Sequence, residues 1–244
     1  MNLIRAAITF AAVLLGTSGA HAGFWQFISY QGEQVVIYAA GPVDADRTVV
    51  LVHDWFGLTV QTQAAVDHLA DLGFRAAAVN LYSGEGVETH AEAWALMQAL
   101  DNDAAASAID GAIDFISQGD GNVAIMGFSM GVPHAIAAAR RNSDRVSAVA
   151  VWYGDTDEAY GDAGTLGVPI LGIYGELDGN AAEQAAALEA GISADGGEAE
   201  TLVYPGVGHA FAQPLFNGGD NFDEPATAAS WALTEDFFRR RLSH

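Results

Sequence analysis

The sequence predicts an α/β fold: a doubly wound, mostly parallel sheet with helices on both faces and an antiparallel hairpin at its N-terminal edge. Strand and helix patterns alternate along the chain, as parallel sheets with crossover helices require. Several strand candidates are continuous apolar runs, as at residues 48–53 and 147–153, which is typical of strands buried on both faces. The helix candidates repeat apolar residues every three or four positions, as Ile109, Ile113 and Ile116 do.

Each element has a local signal. The hairpin joins residues 24–29 and 34–39 around Gly32, and Gly73 marks the end of the first helix. The other strands are predicted at 48–53, 74–80, 122–127, 147–153, 168–174 and 201–204, and the helices at 60–72, 91–100, 104–117, 130–141, 181–190 and 226–241. No repeat, linker or charge run divides residues 23–244, which indicates a single domain.

Residues 1–22 have the pattern of a cleavable signal peptide. Arg5 supplies the positive charge, residues 6–15 are apolar but too short to span a bilayer, and residues 20–22 (Ala-His-Ala) resemble a cleavage site. A buried N-terminal helix is the alternative. The prediction is a secreted or periplasmic protein with no membrane segment after cleavage.

The composition is strongly acidic. The 244 residues include 31 Asp and Glu but only 9 basic residues, all arginine, for a net charge of −22. Such a surface disfavours nucleic acids and anionic membranes as partners. It is consistent with salt adaptation or with a bias in genome composition. Cysteine is absent, which excludes a thiol nucleophile. For the oligomeric state we expect a monomer or weak dimer.

The strongest chemical signal is the segment Gly127-Phe128-Ser129-Met130-Gly131, where a predicted strand ends and a helix begins. In this context a serine between two glycines indicates a nucleophile elbow. Ser129 would then be the nucleophile, and the backbone N–H of Met130 would be one donor to the oxyanion. A serine that only caps the helix is the alternative.

A serine nucleophile needs a base and an acid, and candidates for both follow predicted strands. His209 follows the last strand, and Asp178 follows the strand before it, so the chain order is Ser, Asp, His. Glu176 and Asp155 remain open as the acid. His68, His90, His134 and His244 fit the role of base less well, because they lie on helices or at the chain end.

The loop after residues 48–53 is the candidate for the second oxyanion donor, through the N–H of Trp55. Several aromatic residues also stand at strand ends and are predicted to line an apolar pocket. They are Trp55, Phe56, Tyr82, Trp152 and Phe211. Packing in the core is the alternative for each of them.

The motifs together resemble those of the dienelactone hydrolase family. The matching segments are HDWFGL, NLYSG, GFSMG, GELDGN and GHAFAQ, in that order, with Phe222-Asp223 before the last helix. The resemblance implies an α/β-hydrolase fold, a triad of Ser129, Asp178 and His209, and an oxyanion hole formed by Trp55 and Met130.

Two departures from the family pattern bear on substrate. Dienelactone hydrolases carry a cysteine nucleophile and a glutamate where this chain has Ser129 and Asp54, so Asp54 is expected only to structure its loop. The family's two arginines, which hold the substrate carboxylate, are replaced by Ser83-Gly84 and by Gln213 in the pocket. Without these arginines, and with a negative surface, a neutral or cationic ester is the expected substrate.

The sequence therefore predicts a serine carboxylesterase that acts on a small or medium ester or lactone through an acyl-enzyme, without metal or organic cofactor. Two alternatives remain. One is an acyltransferase that uses the same triad, and the other is a binding protein that kept the fold without catalysis.

Overall fold

The computed structural model describes residues 23–82, 84–118, 122–156, 166–194, 196–214 and 216–242. The predicted signal peptide at residues 1–22 lies outside these ranges, as does Ser83.

Eight strands form one sheet, and the predicted fold is confirmed. Its order is β1-β2-β4-β3-β5-β6-β7-β8. The β1–β2 and β2–β4 pairs are antiparallel, and every pair from β4 to β8 is parallel. The strands are β1 (Phe24–Tyr30), β2 (Glu33–Ala40), β3 (Thr48–Val52), β4 (Arg75–Val79), β5 (Val123–Phe128), β6 (Val146–Trp152), β7 (Ile170–Gly175) and β8 (Ala199–Tyr204). Gln31 and Gly32 both have positive φ in the hairpin turn, which matches the twist of the two strands.

The described helices lie at or near the predicted positions. They are α1 (Val60–Asp71), α2 (His90–Gln98), α3 (Asn102–Ser117), α4 (Gly131–Arg141), α5 (Ala181–Ala194) and α6 (Glu224–Arg241). Four of them begin at a side chain that caps the first turn: Thr59 for α1, Thr89 for α2, Asp101 for α3 and Asp223 for α6.

The sheet separates two apolar cores, because successive residues of a strand point to opposite faces. Val50 and Val52 of β3 face α3, α4 and α5, whereas Val49 and Leu51 face α1 and α6. Burial on both sides explains why the central strands are continuous apolar runs rather than alternating ones.

This topology brings the ends of β3, β5, β7 and β8 to one edge of the sheet. Parallel strands all place their carboxyl ends at that edge, where open α/β sheets build their sites. In the described ranges, no helix combines the length and the apolar character needed to cross a bilayer.

Candidate active site

Ser129 lies on a sharp turn between β5 and α4 that holds it in a strained backbone conformation. Its φ is +49°, a region that residues with a Cβ rarely adopt. A Cβ on Gly127 would lie 2.7 Å from the carbonyl oxygen of Gly131, and one on Gly131 would lie 2.5 Å from that of Val52. Both glycines are therefore required by close backbone approach, and the turn presents the serine side chain at the edge of the sheet.

The structure brings Ser129, His209 and Asp178 together in one hydrogen-bonded chain. Ser129 Oγ lies 3.0 Å from His209 Nε2, and His209 Nδ1 lies 2.7 Å from Asp178 Oδ2. An ionised Asp178 can only accept a hydrogen bond, so the proton resides on Nδ1 and Nε2 is left to accept the serine proton. This is the arrangement that a serine nucleophile needs.

The two other candidate acids lie elsewhere. Glu176 Oε2 accepts a hydrogen bond from the Gly206 N–H at 2.8 Å and so ties the loop after β7 to the loop after β8. Asp155 is exposed beyond the end of β6. The carboxylate that meets His209 is therefore Asp178.

The loop that carries His209 is fixed from outside the triad. Asn221 Nδ2 donates to the His209 carbonyl at 2.9 Å, and the following residue, Ala210, has a φ of +57°. The Tyr153 ring packs edge-on against the imidazole with the ring centroids 5.5 Å apart. These contacts set the direction of the imidazole toward Ser129.

His53 holds the peptide that joins Asp54 to Trp55. Its Nε2 accepts the Leu81 N–H at 3.1 Å, so the ring proton is on Nδ1, which donates to the Asp54 carbonyl at 2.6 Å. Burial lowers the pKa of His53 to about 4, so the ring is neutral at physiological pH. In a planar trans peptide the N–H points opposite to the C=O, so His53 fixes the direction of the Trp55 N–H.

Tyr82 connects the segments that carry the two predicted oxyanion donors. Its hydroxyl donates to the Trp55 carbonyl at 3.1 Å and lies 3.3 Å from Met130 Sδ. Burial and the nearby Asp54 charge raise the pKa of Tyr82 to about 12, so the hydroxyl stays protonated and available as a donor.

Asp54 is a buried carboxyl group with two neutral hydrogen-bond donors. Oδ1 accepts from the Phe56 N–H at 2.8 Å and Oδ2 from Gln213 Nε2 at 3.1 Å. Burial raises the pKa of Asp54 to about 6, although the Phe56 hydrogen bond and the His209 charge act against the shift. The expectation that Asp54 only structures its loop is therefore too narrow, because its second oxygen reaches a different segment.

A cavity of 1410 Å³ lies next to the loop that carries Asp54 and Phe56, and the three triad residues are not among its lining residues. Asp54 and Gln213 lie at its buried end, where the exposed fractions are 8% and 7%. The predicted pocket residues Phe56 and Tyr82 line it as well, and so does Phe216, whose ring lies 6.1 Å from that of His209. The cavity continues outward to the β1–β2 hairpin.

Two predicted pocket residues lie in the core instead. Trp152 and Phe211 are fully buried and stack on each other with centroids 6.3 Å apart. The Trp152 indole N–H donates to Thr234 Oγ1 of α6 at 3.2 Å, so this side chain points to the face of the sheet that α6 covers. The prediction that they line the pocket is wrong, because both side chains turn away from the cavity.

An aromatic cluster that the sequence did not predict lies over the site. The His90 ring lies 5.5 Å from Trp55, 5.6 Å from Phe56 and 5.4 Å from Phe216, measured between centroids. These residues come from three segments far apart in the chain, and no motif links them. Tyr153 was missed too, although a tyrosine directly after a strand was a usable signal.

The described ranges contain no group of three or more His, Asp or Glu side chains that are placed to hold a metal ion.

The sheet order, the elbow after β5 and the histidine after β8 define an α/β-hydrolase. The chain belongs to the dienelactone hydrolase family, whose sequence profile matches residues 35–242. A protein of Escherichia coli O157:H7, provisionally named carboxymethylenebutenolidase, is 30% identical over 212 residues. The match covers 78% of this chain and 77% of that protein.

Solved structures share the fold. A dienelactone hydrolase-like promiscuous phosphotriesterase from metagenomic libraries is similar with a TM-score of 0.77 at 22% identity, covering 90% of this chain and 99% of that one. An esterase from Pyrobaculum calidifontis is similar with a TM-score of 0.69 at 16% identity, covering 91% of this chain and 86% of that one.

Proposed function

We propose that the protein is a serine carboxylesterase that acts through an acyl-enzyme. The observation that carries the proposal is the hydrogen-bonded chain from Ser129 Oγ through His209 to Asp178, at 3.0 and 2.7 Å. A hydroxyl group is a weak nucleophile at neutral pH, and a neutral imidazole oriented by a carboxylate is the arrangement that activates it.

In the first half-reaction, Ser129 Oγ attacks the ester carbonyl carbon while His209 Nε2 takes the hydroxyl proton. Negative charge develops on the carbonyl oxygen, and we assign the N–H groups of Trp55 and Met130 as its donors. The C–O bond to the alcohol then breaks, and His209 returns its proton to the leaving oxygen. The product of this step is an acyl-Ser129 ester and a free alcohol.

In the second half-reaction, water replaces the alcohol. His209 takes a proton from the water as its oxygen attacks the acyl carbon, and the same N–H groups receive the second oxyanion. The bond to Ser129 Oγ then breaks, and the serine regains its proton from His209. Asp178 keeps its negative charge throughout and stabilises the imidazolium in both halves.

The lining of the cavity favours an ester without a carboxylate. Gln213 lies at the buried end, next to Asp54, and it offers an amide rather than a guanidinium. An anionic substrate would have to enter a cavity that contains a buried carboxyl group and lies on a protein of net charge −22.

Hydrolysis of p-nitrophenyl esters from acetyl to octanoyl, by the mature protein and by Ser129→Ala, tests the proposal. We expect turnover that falls to background in the variant, with a chain-length optimum set by the cavity. Added alcohols, with analysis of the products, separate hydrolysis from acyl transfer. If the folded wild-type protein neither turns over these esters nor reacts at Ser129 with a fluorophosphonate, the proposal is wrong.

A further inference from the structure

The cavity that Asp54 and Gln213 line has an unusual balance of charge. Four carboxyl groups line it, and none of its described lining residues is Arg, Lys or His. Asp54 is at the buried end, while Glu33, Glu85 and Glu88 are exposed near the opening. A ligand that enters therefore meets negative charge from the opening to the inner end.

The inner carboxyl group is only partly compensated. Its two hydrogen bonds come from the neutral amides of Phe56 and Gln213. The Tyr153 hydroxyl is buried beside Asp54 and Gln213, but it makes no hydrogen bond of normal geometry. The other groups that face Asp54 are the Tyr82 hydroxyl and the His209 imidazole. A buried carboxylate in such surroundings gains from an added cation.

Aromatic rings provide the rest of the inner wall. Phe56, Tyr82 and Phe216 line the same cavity as Asp54, and Trp25 and Phe27 continue this lining toward the hairpin. Aromatic faces attract alkylammonium groups through their quadrupole while also burying the methyl groups. An apolar wall with one carboxylate is thus suited to a cation that carries carbon substituents.

We propose that this cavity binds an alkylammonium group of the ester substrate, with Asp54 as its counter-charge and the rings of Phe56, Tyr82 and Phe216 around it. The inference rests on the proposed esterase function and names the substrate class. The cationic group occupies the buried end, and the ester extends toward Ser129 past Phe216, whose ring lies 6.1 Å from that of His209.

The proposal has a specific pH dependence. Because burial raises the pKa of Asp54 to about 6, the carboxyl group is largely neutral at pH 5 and charged above pH 7. A cationic ester is therefore favoured over a neutral one as the pH rises through about 6. His209 acts as base for both esters, so its own titration cancels in the ratio of their kcat/KM values.

Acetylcholine and 3,3-dimethylbutyl acetate form a matched pair of probes, since they differ only in nitrogen against carbon. We expect wild-type kcat/KM to favour acetylcholine by about 30-fold at pH 7.5. The ratio should fall toward one as the pH decreases to 5. In Asp54→Asn we expect the ratio at pH 7.5 to fall about tenfold, whereas Glu183→Gln, which removes an exposed charge on α5, should preserve it.

Equal use of the two esters by the wild-type protein, or a ratio that does not change with pH, would overturn the inference and leave the esterase proposal standing. The pH series needs no variant, so it decides the question even if Asp54→Asn does not fold. If neither ester is hydrolysed, titration calorimetry with tetramethylammonium chloride tests the cavity alone. Binding that weakens between pH 7.5 and 5 supports the inference, and no binding refutes it.

Discussion

Replacing His53 tests how the predicted oxyanion donor is positioned. The ring makes two hydrogen bonds, one as a donor from Nδ1 to the Asp54 carbonyl and one as an acceptor at Nε2 from the Leu81 N–H. His53→Asn keeps a donor near the position of Nδ1, and His53→Gln keeps an acceptor near that of Nε2. The two variants therefore lose one hydrogen bond each, but not the same one.

The geometry sets the size of the effect. Loss of an oxyanion donor costs about 10²- to 10³-fold in kcat. In the Gln variant the Asp54 carbonyl keeps its second hydrogen bond, from the Gly57 N–H at 3.2 Å, so the peptide is only loosened. We therefore expect kcat to fall about 10- to 100-fold in His53→Gln and less than about tenfold in His53→Asn.

Stability should not separate the two variants. Each loses one buried hydrogen bond, which costs about 1–3 kcal/mol in the free energy of unfolding. Urea unfolding of both variants provides this control. A difference in kcat between two proteins of equal stability then reports on the Asp54–Trp55 peptide rather than on the fold.

The assay compares kcat, KM and inhibition by a trifluoromethyl ketone in the two variants and the wild type. Ser129 adds to the carbonyl group of this ketone, which forms a tetrahedral oxyanion. We expect the inhibition constant of the ketone to rise in parallel with the loss in kcat, while KM changes little. The reasoning is refuted if the two variants lose kcat equally, if Asn loses more than Gln, or if ketone binding is unaffected.

Three further predictions concern the neighbouring residues. Asp178→Asn should lower kcat by about 10⁴-fold with the near-UV circular dichroism spectrum unchanged, and retained activity would return Glu176 or Asp155 as the acid. Gln213→Arg should raise kcat/KM for a carboxylated ester relative to its methyl ester, and an unchanged ratio would count against the missing-arginine argument. The third concerns stability between pH 4 and 6.5. Burial lowers the pKa of His53 from 6.5 to about 4. As the pH decreases, this histidine is therefore protonated in the unfolded chain before it is protonated in the folded protein, and the free energy of unfolding falls. Burial raises the pKa of Asp54 from 3.8 to about 6. As the pH increases, this carboxyl group therefore ionises in the unfolded chain before it ionises in the folded protein, and its contribution to the free energy of unfolding falls. The two contributions, each about 3 kcal/mol, oppose each other. Urea unfolding of His53→Asn should therefore show stability that falls from pH 4 to 6, and a slope equal to that of wild type would refute the assignment.

Much of the fold and the triad could be predicted because their signals are local. The run from Val49 to Val52 indicates a strand buried on both sides, and two glycines around Ser129 indicate a strained turn. The positions of Asp178 and His209 follow from one rule, that parallel strands end at a common edge.

The lining of the cavity could not be predicted in the same way. Trp152 and Tyr153 are adjacent aromatic residues at a strand end, and which one approaches the site depends on the pleat and on the positive φ of Tyr153. The structure sends Trp152 to α6 and packs Tyr153 against His209. His90 and Phe216 meet through the paths of two loops, which leave no periodic pattern in the sequence.

The loop after β3 carries both the proposed oxyanion donor and the carboxyl group of the cavity, because of its position in the sheet. β3 lies between β4 and β5, and the loop contacts Tyr82 after β4, whose hydroxyl also lies 3.3 Å from Met130 Sδ after β5. Its backbone carries the Trp55 N–H that we assign to the oxyanion, and its Asp54 side chain lines the cavity. A short aspartate is suited to both, since one oxygen accepts the Phe56 N–H two residues on, while the other is left for Gln213 and the cavity. Because one peptide connects the backbone donor to this side chain, changes in the loop should alter turnover and charge selectivity together.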